Sequence, residues 1–381
     1  MKPYIYADNA ATTKIDTEAL EAMLPWLSEE YGNASQPYSF AKKPKEALRH
    51  AREVIASCIN ADPEYIFFTS GGTESDNWTI KCFGNKNEKR LLVTSCIEHH
   101  AILNAATDAD NLISEFVSVN VQGEVDVDEL EKKLRENVHR ISSTSYPLVS
   151  VMYGNNEIGT IQPIKTITET AHRHGAICHT DAVQAVGHVP IDVKELGIDL
   201  LSASAHKFNG PKGIGFLYDR GGYLSSFNSG GGQEKGRRAG TENIASIVGM
   251  AVALENNCRQ LEKNRNHIQA LDDYLMEMLS QSKIEFKRNG SINHIPGIIS
   301  LSFPDADGEM ILHRLDLMGI AISTGAACDS VHTQVSHVLK AIKLPKRYAE
   351  GTIRISLGKY NTIGDCKTIA NALVKVIGST I

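Results

Sequence analysis

The chain has 381 residues, of which 42% are hydrophobic and 22% are charged, and its 30 glycines and 12 prolines are scattered. This composition excludes a disordered, collagenous or coiled-coil protein, and the length suits one large unit or two moderate domains. With 39 Lys and Arg against 45 Asp and Glu, the net charge is −6. The surface as a whole therefore lacks the basic character of a nucleic-acid or membrane-binding protein, and we expect small molecules or proteins as partners.

Neither a membrane span nor an export signal is predicted. The longest nearly unbroken apolar run, 247–254, is far shorter than the ~18 residues that a span requires. Polar Asp8 and Asn9 stand where a signal peptide needs its apolar stretch, so we expect a cytoplasmic protein. The seven cysteines are widely spaced and none forms a CxxC pair, which favours reduced thiols over a disulfide framework or a zinc site.

Short apolar runs alternate with helical patterns through the first two thirds of the chain. A helical pattern over 44–60, with Pro44 at a tolerated first position, is followed by a strand at 65–69. Further strands are predicted at 91–94, 116–119, 148–153, 176–179, 200–203 and 214–218, and helices at 164–174 and 183–186. This alternation is typical of a mainly parallel sheet covered by helices and predicts an α/β fold.

The pattern changes near residue 255. The stretch 244–280 is mainly helical, which predicts a long connecting helix. Beyond it, strands are predicted at 298–303, 321–323 and 352–356, and helices at 309–318, 334–342 and 363–377. We therefore predict a large domain over 15–255 and a smaller α/β domain formed by 1–14 and 256–381.

Lys207 is a candidate Schiff-base lysine. It lies in the sequence SASAHKFNGPKGIG, where an apolar strand runs into an Asn-Gly-Pro turn. A lysine held at such a strand end can be desolvated and nucleophilic. The alternative is an ordinary surface lysine beside a turn, and this motif alone does not decide between the two.

Two further motifs point to one kind of ligand. In FTSGGTESDN, a strand runs through a glycine turn into a helix, whose N–H groups could hold a phosphate together with the hydroxyls of Ser70 and Thr73. In TDAVQAVG, Asp181 follows a strand, and a buried carboxylate there needs a cation such as a protonated pyridine nitrogen. The alternatives are an ordinary turn capped by Thr73 and a helix N-cap at Asp181. A reactive amine, a phosphate cup and a ring-nitrogen carboxylate together are what pyridoxal phosphate requires.

At this point the sequence resembles a known family. The ordered motifs GGTESDN, EHH, NNEIG, TDAVQAVG, SAHK, GGGQEKGRRAGT, STGAAC and RISLG are similar to those of cysteine desulfurases of the NifS/IscS type. The resemblance runs from Tyr6 to about Gly358. It implies a PLP-dependent transferase fold of type I, with a large domain built on a mainly parallel sheet plus a smaller α/β domain, and pyridoxal 5'-phosphate as cofactor.

The resemblance also implies roles for individual residues. Lys207 corresponds to the lysine that forms the Schiff base, Asp181 to the partner of the pyridine nitrogen, and Gln184 to the donor near the ring hydroxyl. His99 matches the imidazole that stacks on the ring and moves protons. The residues that match the phosphate cup are Gly72, Thr73, Ser204, His206 and, reaching across a homodimer, Thr241.

Substrate binding is implied for Asn156 and Arg354, which match the groups that hold the carboxylate of the substrate, and Asn156 is also expected to bind the cofactor. A guanidinium fork at a strand end suits bidentate capture of an amino-acid carboxylate, although a surface ion pair is the alternative for Arg354. A metal site at His99 and His100 is not expected, because adjacent helix residues face different directions.

Cys328 matches the nucleophile of the family. It follows STGAA in a polar segment of small residues, which predicts a mobile loop from which a thiol could reach both the cofactor and a protein acceptor. The other six cysteines are interpreted as small hydrophobes. Two positions depart from the family pattern, because Asp329 replaces a Thr and Tyr38 replaces a His. A carboxylate at Asp329 would by itself raise the pKa of the thiol.

The expected function is removal of sulfur from L-cysteine, giving L-alanine and a persulfide on Cys328. The sulfur would pass to an acceptor protein, such as an iron–sulfur scaffold or a thiolation enzyme. The alternatives are a selenocysteine lyase, an aminotransferase of the same fold, and an inactive partner-binding scaffold, the last suggested only by Asp329 and Tyr38. Cys328 argues against an aminotransferase, which needs a second keto acid and no loop thiol.

Overall fold

A computed structural model describes residues 4–142, 145–324 and 335–378. Within these ranges strands and helices alternate as the sequence predicted. The strands are β1 (Ile5–Tyr6), β2 (Ile66–Thr69), β3 (Arg90–Ser95), β4 (Leu112–Val117), β5 (Leu148–Ser150), β6 (Ile177–Asp181), β7 (Leu200–Ser204), β8 (Gly215–Asp219), β9 (Lys287–Asn289), β10 (Ile298–Ser302), β11 (Ile320–Ala321), β12 (Ser323–Thr324) and β13 (Thr352–Ser356).

Helices cover the strands and join the sheets. The α-helices are α1 (Thr17–Met23), α2 (Pro25–Ser28), α3 (Lys42–Cys58), α4 (Gly72–Cys82), α5 (His100–Asp108), α6 (Val127–Asn137), α7 (Ile164–Arg173), α8 (Ile244–Arg259), α9 (Leu261–Ser280), α10 (Gly308–Leu317), α11 (His337–Ala341), α12 (Lys346–Ala349) and α13 (Ile363–Gly378). Short 3-10 turns cover Ser39–Ala41, Pro63–Tyr65, Val138–Arg140, Ala205–Lys207 and Gln233–Gly236.

The larger sheet has the strand order β2-β8-β7-β6-β5-β3-β4 among the described residues. The strands β7, β6, β5, β3 and β4 run parallel, while β8 runs antiparallel to both β2 and β7. Every residue of β3, β5, β6, β7 and β8 is buried, as expected for strands covered on both faces. The predicted mainly parallel α/β sheet is confirmed.

The edge of this sheet was predicted less well. The strand expected at 116–119 is found at Leu112–Val117. Most of its residues are half-buried, because β4 has a neighbour on one side only and keeps polar Ser114 and Glu115 within the strand. An edge strand of this kind lacks the continuous apolar run that marks the central strands.

The smaller sheet has the order β12-β13-β10-β9 and is antiparallel throughout the described part of the chain. The single strand predicted at 321–323 is wrong. The chain instead forms β11, which pairs in parallel with β1, and then β12, which pairs with β13, and Ile322 lies between the two. One apolar run cannot reveal that its two halves pair with different partners.

Two helix predictions also need correction. The helix expected over 244–280 is interrupted at Gln260, where the backbone leaves the helical region with φ −105° and ψ 15°. The segment 183–186 forms turns in place of a helix. A helix starting here could not extend through Gly187, because this residue adopts a φ of +78°, which does not belong to a right-handed helix. The helix expected at 334–342 is found at His337–Ala341, and Gln334 lies outside the described residues.

Each sheet has its own apolar core. Ile55, Phe208 and Phe216 are fully buried on one side of the larger sheet, whereas Leu275 and Ile299 belong to a separate cluster around the smaller sheet. These cores agree with a division of the chain near residue 255, which stays a prediction. No helix in the described ranges is both long enough and apolar enough to cross a membrane.

Candidate active site

A cavity of about 550 Å³ lies at the carboxyl ends of β6 and β7. Ligands of open α/β sheets bind at this edge, because the loops that follow the parallel strands meet there. The loops after β2, β3 and β5 and the strand β13 of the smaller sheet complete the wall. The predicted site residues that line it are Gly72, Thr73, His99, Asn156, Asp181, Gln184, Ser204, His206, Lys207 and Arg354.

One end of the cavity, which we call the glycine end, is formed by Gly71, Gly72, Ser204 and His206. A Cβ atom on Gly72 would lie 2.6 Å from Cγ2 of Val183, so no larger residue fits without a shift. Without side chains at these glycines, the N–H groups of the first turn of α4 stay open to the cavity. The N-cap of α4 is Gly71 and makes no side-chain cap, so the expectation of a cap by Thr73 is not met.

His206 lies in the 3-10 turn that follows β7. Its Nδ1 is 3.1 Å from Oγ1 of Thr12. Burial, followed by the positive charges of Lys207 and Lys212, lowers the pKa of His206 to about 4. The imidazole is therefore neutral near pH 7, and the positive charge at the glycine end comes from the two lysines.

Lys207 lies three residues beyond the end of β7, in the same 3-10 turn. Its Nζ donates to the backbone carbonyl of Ala10 at 2.5 Å and to that of Ala11 at 3.0 Å. The amine is thus fixed at the wall of the cavity, which argues against the alternative of a solvated surface lysine.

Asp181 ends β6 at the opposite end of the cavity. It is buried, and its Oδ1 accepts a hydrogen bond from the N–H of Val183 at 2.9 Å. Burial raises the pKa of this carboxyl, while the nearby His99 and Lys207 lower it. A turn follows Asp181, so the alternative of a helix N-cap is not realised. A cation placed against this carboxylate would relieve the cost of burying it.

Two buried acids lie close to Asp181, and sequence reasoning missed both. Asp76 also lines the cavity, and its Oδ1 has no hydrogen-bond partner within the described ranges. Burial, together with the charge of Asp181, raises the pKa of Asp76 well above its usual value. Both oxygens of Glu98 accept from the N–H of Met152 at 3.0 Å, and burial raises the pKa of Glu98 to about 8. We call Asp76, Glu98 and Asp181 the acid end.

Both missed acids belong to motifs that carry the family resemblance, namely GGTESDN and EHH. Asp76 is four residues after Gly72 on α4, so it returns to the same helix face one turn later. Glu98 directly precedes His99. The helical spacing was therefore a usable signal for Asp76, whereas nothing in the sequence indicates that Glu98 is fully buried.

His99 is the N-cap of α5 and lines the cavity. Its Nδ1 accepts a hydrogen bond from the N–H of Ala101 at 3.1 Å, which leaves the ring proton of the neutral form on Nε2. Burial lowers the pKa of His99, and the charge of Lys207 adds to this effect while that of Asp181 opposes it. The site therefore contains a neutral imidazole with one N–H.

The segment 10–13 crosses the cavity and was assigned no role by the sequence. The carbonyl of Ala10 accepts from Nε2 of Gln184 at 3.0 Å as well as from Lys207. The backbone N–H of Thr13 donates to the carbonyl of His206 at 2.9 Å. The segment therefore joins three predicted site residues through backbone atoms, which no side-chain pattern reveals.

Arg354 lies in the middle of β13, so its predicted position at a strand end is wrong. Its guanidinium donates to the carbonyl of Asn156 at 2.9 Å and to Oδ1 of Asp8 at 2.8 Å. The side chain is only 5% exposed, which rules out the surface ion pair considered as the alternative. Nε of Arg354 has no hydrogen-bond partner in the described part of the chain.

Thr241 lies outside this cavity. It lines a neighbouring cavity of about 210 Å³, which shares Ser70 and Gly213 with the first. An ion pair between Arg238 and Glu74, with N–O distances of 2.8 and 3.1 Å, connects the loop before Thr241 to the first turn of α4. A contribution of Thr241 across a homodimer therefore stays a prediction.

Cys328 and Asp329 lie outside the described residues. The described residues on either side contact the site. Ser323 pairs with Arg354 across β12 and β13. On the other side, His337 contacts the carbonyl of Glu98 through Nε2 at 3.0 Å.

Comparison with known proteins identifies the family. Residues 5–369 match the family model described as Aminotransferase class-V. A protein named Cysteine desulfurase IscS from Dictyoglomus turgidum is 42% identical over 383 residues, which cover 99% of this chain and 95% of that protein. The chain belongs to the cysteine desulfurases. This family is dependent on pyridoxal phosphate.

Solved structures agree with membership in the cysteine desulfurase family. A NifS-like protein superposes with a TM-score of 0.90 at 34% identity, covering 99% of this chain and 100% of that one. The structure of SspA in complex with cysteine gives a TM-score of 0.81 at 33% identity and covers 94% of this chain and 100% of that one. The predicted fold is confirmed.

The cavity of this cysteine desulfurase fits the cofactor. The glycine end offers N–H groups and hydroxyls for a phosphate, since Gly72 leaves no room for a side chain. The acid end offers Asp181 for a protonated ring nitrogen. Asp76 also lines this end, and its Oδ1 has no hydrogen-bond partner among the described residues. Lys207 supplies the amine between them.

Proposed function

We propose that this chain removes sulfur from L-cysteine, with Cys328 as the acceptor, and releases L-alanine. The observation that carries the proposal is that one cavity brings together Lys207, Asp181 and Arg354, which are an amine, a buried carboxylate and a buried guanidinium. For an amino-acid substrate, the amine of Lys207 reacts with the cofactor and the carboxylate of Asp181 keeps the cofactor ring protonated. The guanidinium of Arg354 holds the substrate carboxylate.

We assign the binding of pyridoxal phosphate to both ends of the cavity. Gly72, Thr73, Ser204 and His206 would hold its phosphate, and Asp181 its ring nitrogen. Gln184 would donate near the ring hydroxyl, and His99 would stack on the ring. When bound, the cofactor supplies an aldehyde that condenses with primary amines and a ring that accepts the electron pair of a broken bond at Cα.

Arg354 is proposed to bind the substrate carboxylate. Its Nε is buried without a partner among the described residues, and its two other nitrogens contact Asn156 and Asp8. These contacts hold the guanidinium plane in a fixed orientation, so its remaining donors are ready for a carboxylate. Asn156 would also contribute, since it lines the same cavity and contacts the guanidinium.

Lys207 is proposed to move the proton at Cα of the substrate. Its Nζ donates to the carbonyls of Ala10 and Ala11, so the amine has a defined position at the cavity wall. His99, neutral and carrying a proton on Nε2, could donate to a leaving atom and recover the proton from solvent. Asp181 holds the opposite charge at the acid end during both transfers.

Cys328 is proposed to take the sulfur. Its thiolate attacks the sulfur of the bound cysteine, the bond between that sulfur and Cβ breaks, and the electron pair of this bond ends in a new C–H bond of alanine. The proton that Cys328 loses balances the proton gained by carbon, so one thiol and one cysteine yield one persulfide and one alanine. Support comes from the described residues on either side of Cys328, since Ser323 pairs with Arg354 and His337 contacts the carbonyl of Glu98.

The test compares alanine release and protein persulfide formation in the cofactor-loaded wild type and two variants. We expect Cys328→Ser to keep the visible absorbance of the bound cofactor but to lose persulfide formation by at least about 10²-fold. Lys207→Ala should lose both the visible absorbance and turnover. Cys96→Ser, which changes a half-buried cysteine elsewhere, is the matched control.

Two outcomes would contradict the proposal. Persulfide transfer at the wild-type rate by Cys328→Ser would show that Cys328 is not the nucleophile. Alanine formed only when a keto acid is added would identify an aminotransferase.

We further propose a cytoplasmic homodimer that passes its sulfur to an acceptor protein, either an iron–sulfur scaffold or a thiolation enzyme. The neighbouring cavity at Thr241 supports the dimer, because it adjoins the glycine end at Ser70 and would let a second subunit reach a phosphate. A monomeric mass in solution at working concentration would contradict the dimer. Pull-down followed by sulfur transfer to the recovered proteins tests the acceptor.

A further inference from the structure

Two cysteines outside the active site lie at adjoining helix ends. Cys58 is the last residue of α3, and Cys258 is the second-last residue of α8. These helices pack side by side, with Cα atoms within 8 Å of each other. Because both cysteines stand at the carboxyl ends of their helices and line one cavity, the two ends lie together.

The cavity beside the two thiols holds about 220 Å³ and is lined mainly by apolar side chains, among them Ile59, Val189 and Leu254. Both cysteines are half-buried, so small reagents can reach them. By contrast, Cys82 and Cys178 are buried. The cavity gives access from solvent and leaves room for one sulfur to turn toward the other.

The two thiols line the same cavity and influence each other's pKa. A hydrogen bond from Cys58 lowers the pKa of Cys258, whereas the same bond, burial and the charge of Cys258 raise the pKa of Cys58. Two thiols that interact in this way lose their protons as a pair, and either sulfur can carry the negative charge.

We propose that Cys58 and Cys258 form a redox-active dithiol, a modification site that closes to an intramolecular disulfide when a hydroperoxide oxidises it. The site is separate from the sulfur chemistry of the cavity at Lys207, and the proposal holds whatever the enzyme's substrate. Its reversal requires a thiol reductant, which attacks the disulfide and restores both thiols.

The oxidation takes place in two steps that balance. The Cys258 thiolate attacks one oxygen of the hydroperoxide, the O–O bond breaks, and Cys258 becomes a sulfenic acid while the other oxygen leaves as an alcohol or water. The sulfur of Cys58 then attacks the sulfur of Cys258, and the S–O bond breaks. The proton of Cys58 leaves with that oxygen as water. The two thiols together lose two electrons, and the hydroperoxide gains them.

A disulfide here would join two parts of the molecule. The helix α3 packs on the larger sheet, and α8 ends at Gln260, where the chain turns into α9 and the smaller sheet. A covalent bond two residues before that break would fasten the start of α9 to α3. We expect a higher Tm for the oxidised protein than for the reduced one.

The experiment treats the cofactor-loaded enzyme with hydrogen peroxide, blocks the remaining thiols and maps tryptic peptides. Cleavage at Arg and Lys gives peptides 53–81 and 239–259, and each contains one cysteine. We expect these two peptides to appear joined, with the loss of two hydrogens, and to separate on reduction. The Cys328→Ser variant, treated in parallel, removes the active-site thiol as a source of exchange and should give the same pair.

Variants identify the pair and its chemistry. Cys58→Ser should stop at a sulfenic acid on Cys258, which a sulfenic-acid probe detects, and Cys96→Ser should form the disulfide as the wild type does. The proposal is overturned if Cys58 and Cys258 of the folded wild type both stay open to alkylation after oxidation. It is also overturned if either pairs with another cysteine, and neither result depends on whether the variants fold.

Discussion

The glycine end and the acid end of the active-site cavity differ in the charged groups that they contain. At the glycine end, His206 is kept neutral, and Lys207 and Lys212 carry the positive charge. At the acid end, Asp76, Glu98 and Asp181 are buried and burial raises the pKa of each. The two ends therefore favour ligands of opposite charge, because the lysines attract an anion and a cation would relieve the cost of ionising the buried acids.

Val183 connects the two ends. Its N–H donates to Asp181, and its Cγ2 lies where a side chain on residue 72 would be. One residue thus sets the orientation of the buried carboxylate and limits the width of the phosphate cup. The cation-binding end therefore depends on electrostatics, whereas the anion-binding end depends on the space left by missing side chains.

The largest effect is expected at the acid end. Asp181→Asn keeps the shape of the side chain but removes its charge, so we expect kcat for alanine formation to fall by about 10²-fold or more. Cofactor content should stay close to that of the wild type, because the glycine end is unchanged. Asp62→Asn, which changes a carboxylate that is 56% exposed, is the matched control. An unchanged kcat in Asp181→Asn would contradict the claim that the charge of Asp181 supports catalysis.

Arg354→Lys separates substrate binding from cofactor binding. A lysine keeps the positive charge but loses the planar fork, and hydrogen bonds to charged groups contribute about 1.5–3 kcal/mol each. We expect KM for cysteine to rise by about 10-fold to 10²-fold, with a smaller change in kcat and an unchanged cofactor spectrum. Arg347→Lys, at a position 53% exposed, should leave all three unaltered. A rise in KM of equal size in that control would contradict the assignment.

Gly72→Ala tests the claim that space governs the glycine end. Its Cβ would meet Cγ2 of Val183 at 2.6 Å, and overpacking of this kind costs about 1–3 kcal/mol. We expect a lower Tm and faster loss of cofactor, with partial recovery in the double variant Gly72→Ala/Val183→Ala. Gly364→Ala, whose Cβ would find its nearest neighbour at 3.6 Å, is the control. A double variant no better than Gly72→Ala would show that the clash is not the cause.

The effect furthest from catalysis is a change in the pH dependence of stability. Glu98 has a pKa of about 8 in the folded protein against about 4.5 when exposed. Between these values the folded state binds one more proton, so stability falls as pH rises from about 4.5 to about 8 and this contribution is lost above that range. In Glu98→Gln this fall should disappear. Tm measured from pH 4 to 9 in both proteins checks it, and parallel curves would refute the buried, protonated acid.

Much of the fold could be predicted because the central strands are buried on both faces. The apolar runs of β3 and β7 are nearly continuous, and in the smaller sheet the alternating pattern of β13 gives bounds that agree with the predicted 352–356. The edge strand β4 and the division at Ile322 could not be predicted, because each depends on partners distant in sequence. The break at Gln260 was missed because an apolar stripe continues across it.

The candidate site divides in the same way. Side chains that carry chemistry in recognisable motifs, such as Lys207 and Asp181, line the cavity as predicted. The carbonyl of Ala10 was missed, since backbone atoms leave no trace in a pattern of side chains. The ion pair of Arg354 with Asp8 was missed for a related reason, because the two residues are far apart in sequence and meet only when Asp8 bridges to Ser356 of β13.

The segment 8–13 has a consequence for how the enzyme can fail. Asp8 orients the guanidinium that faces the substrate, and Ala10 holds both the reactive amine and Gln184. A proteolytic nick after Thr13 would release these contacts together while leaving the residues assigned to the cofactor intact. Such a cleaved enzyme would keep every residue assigned to the cofactor, but the positions of Lys207, Gln184 and Arg354 would no longer be fixed, so we expect it to lose turnover of cysteine.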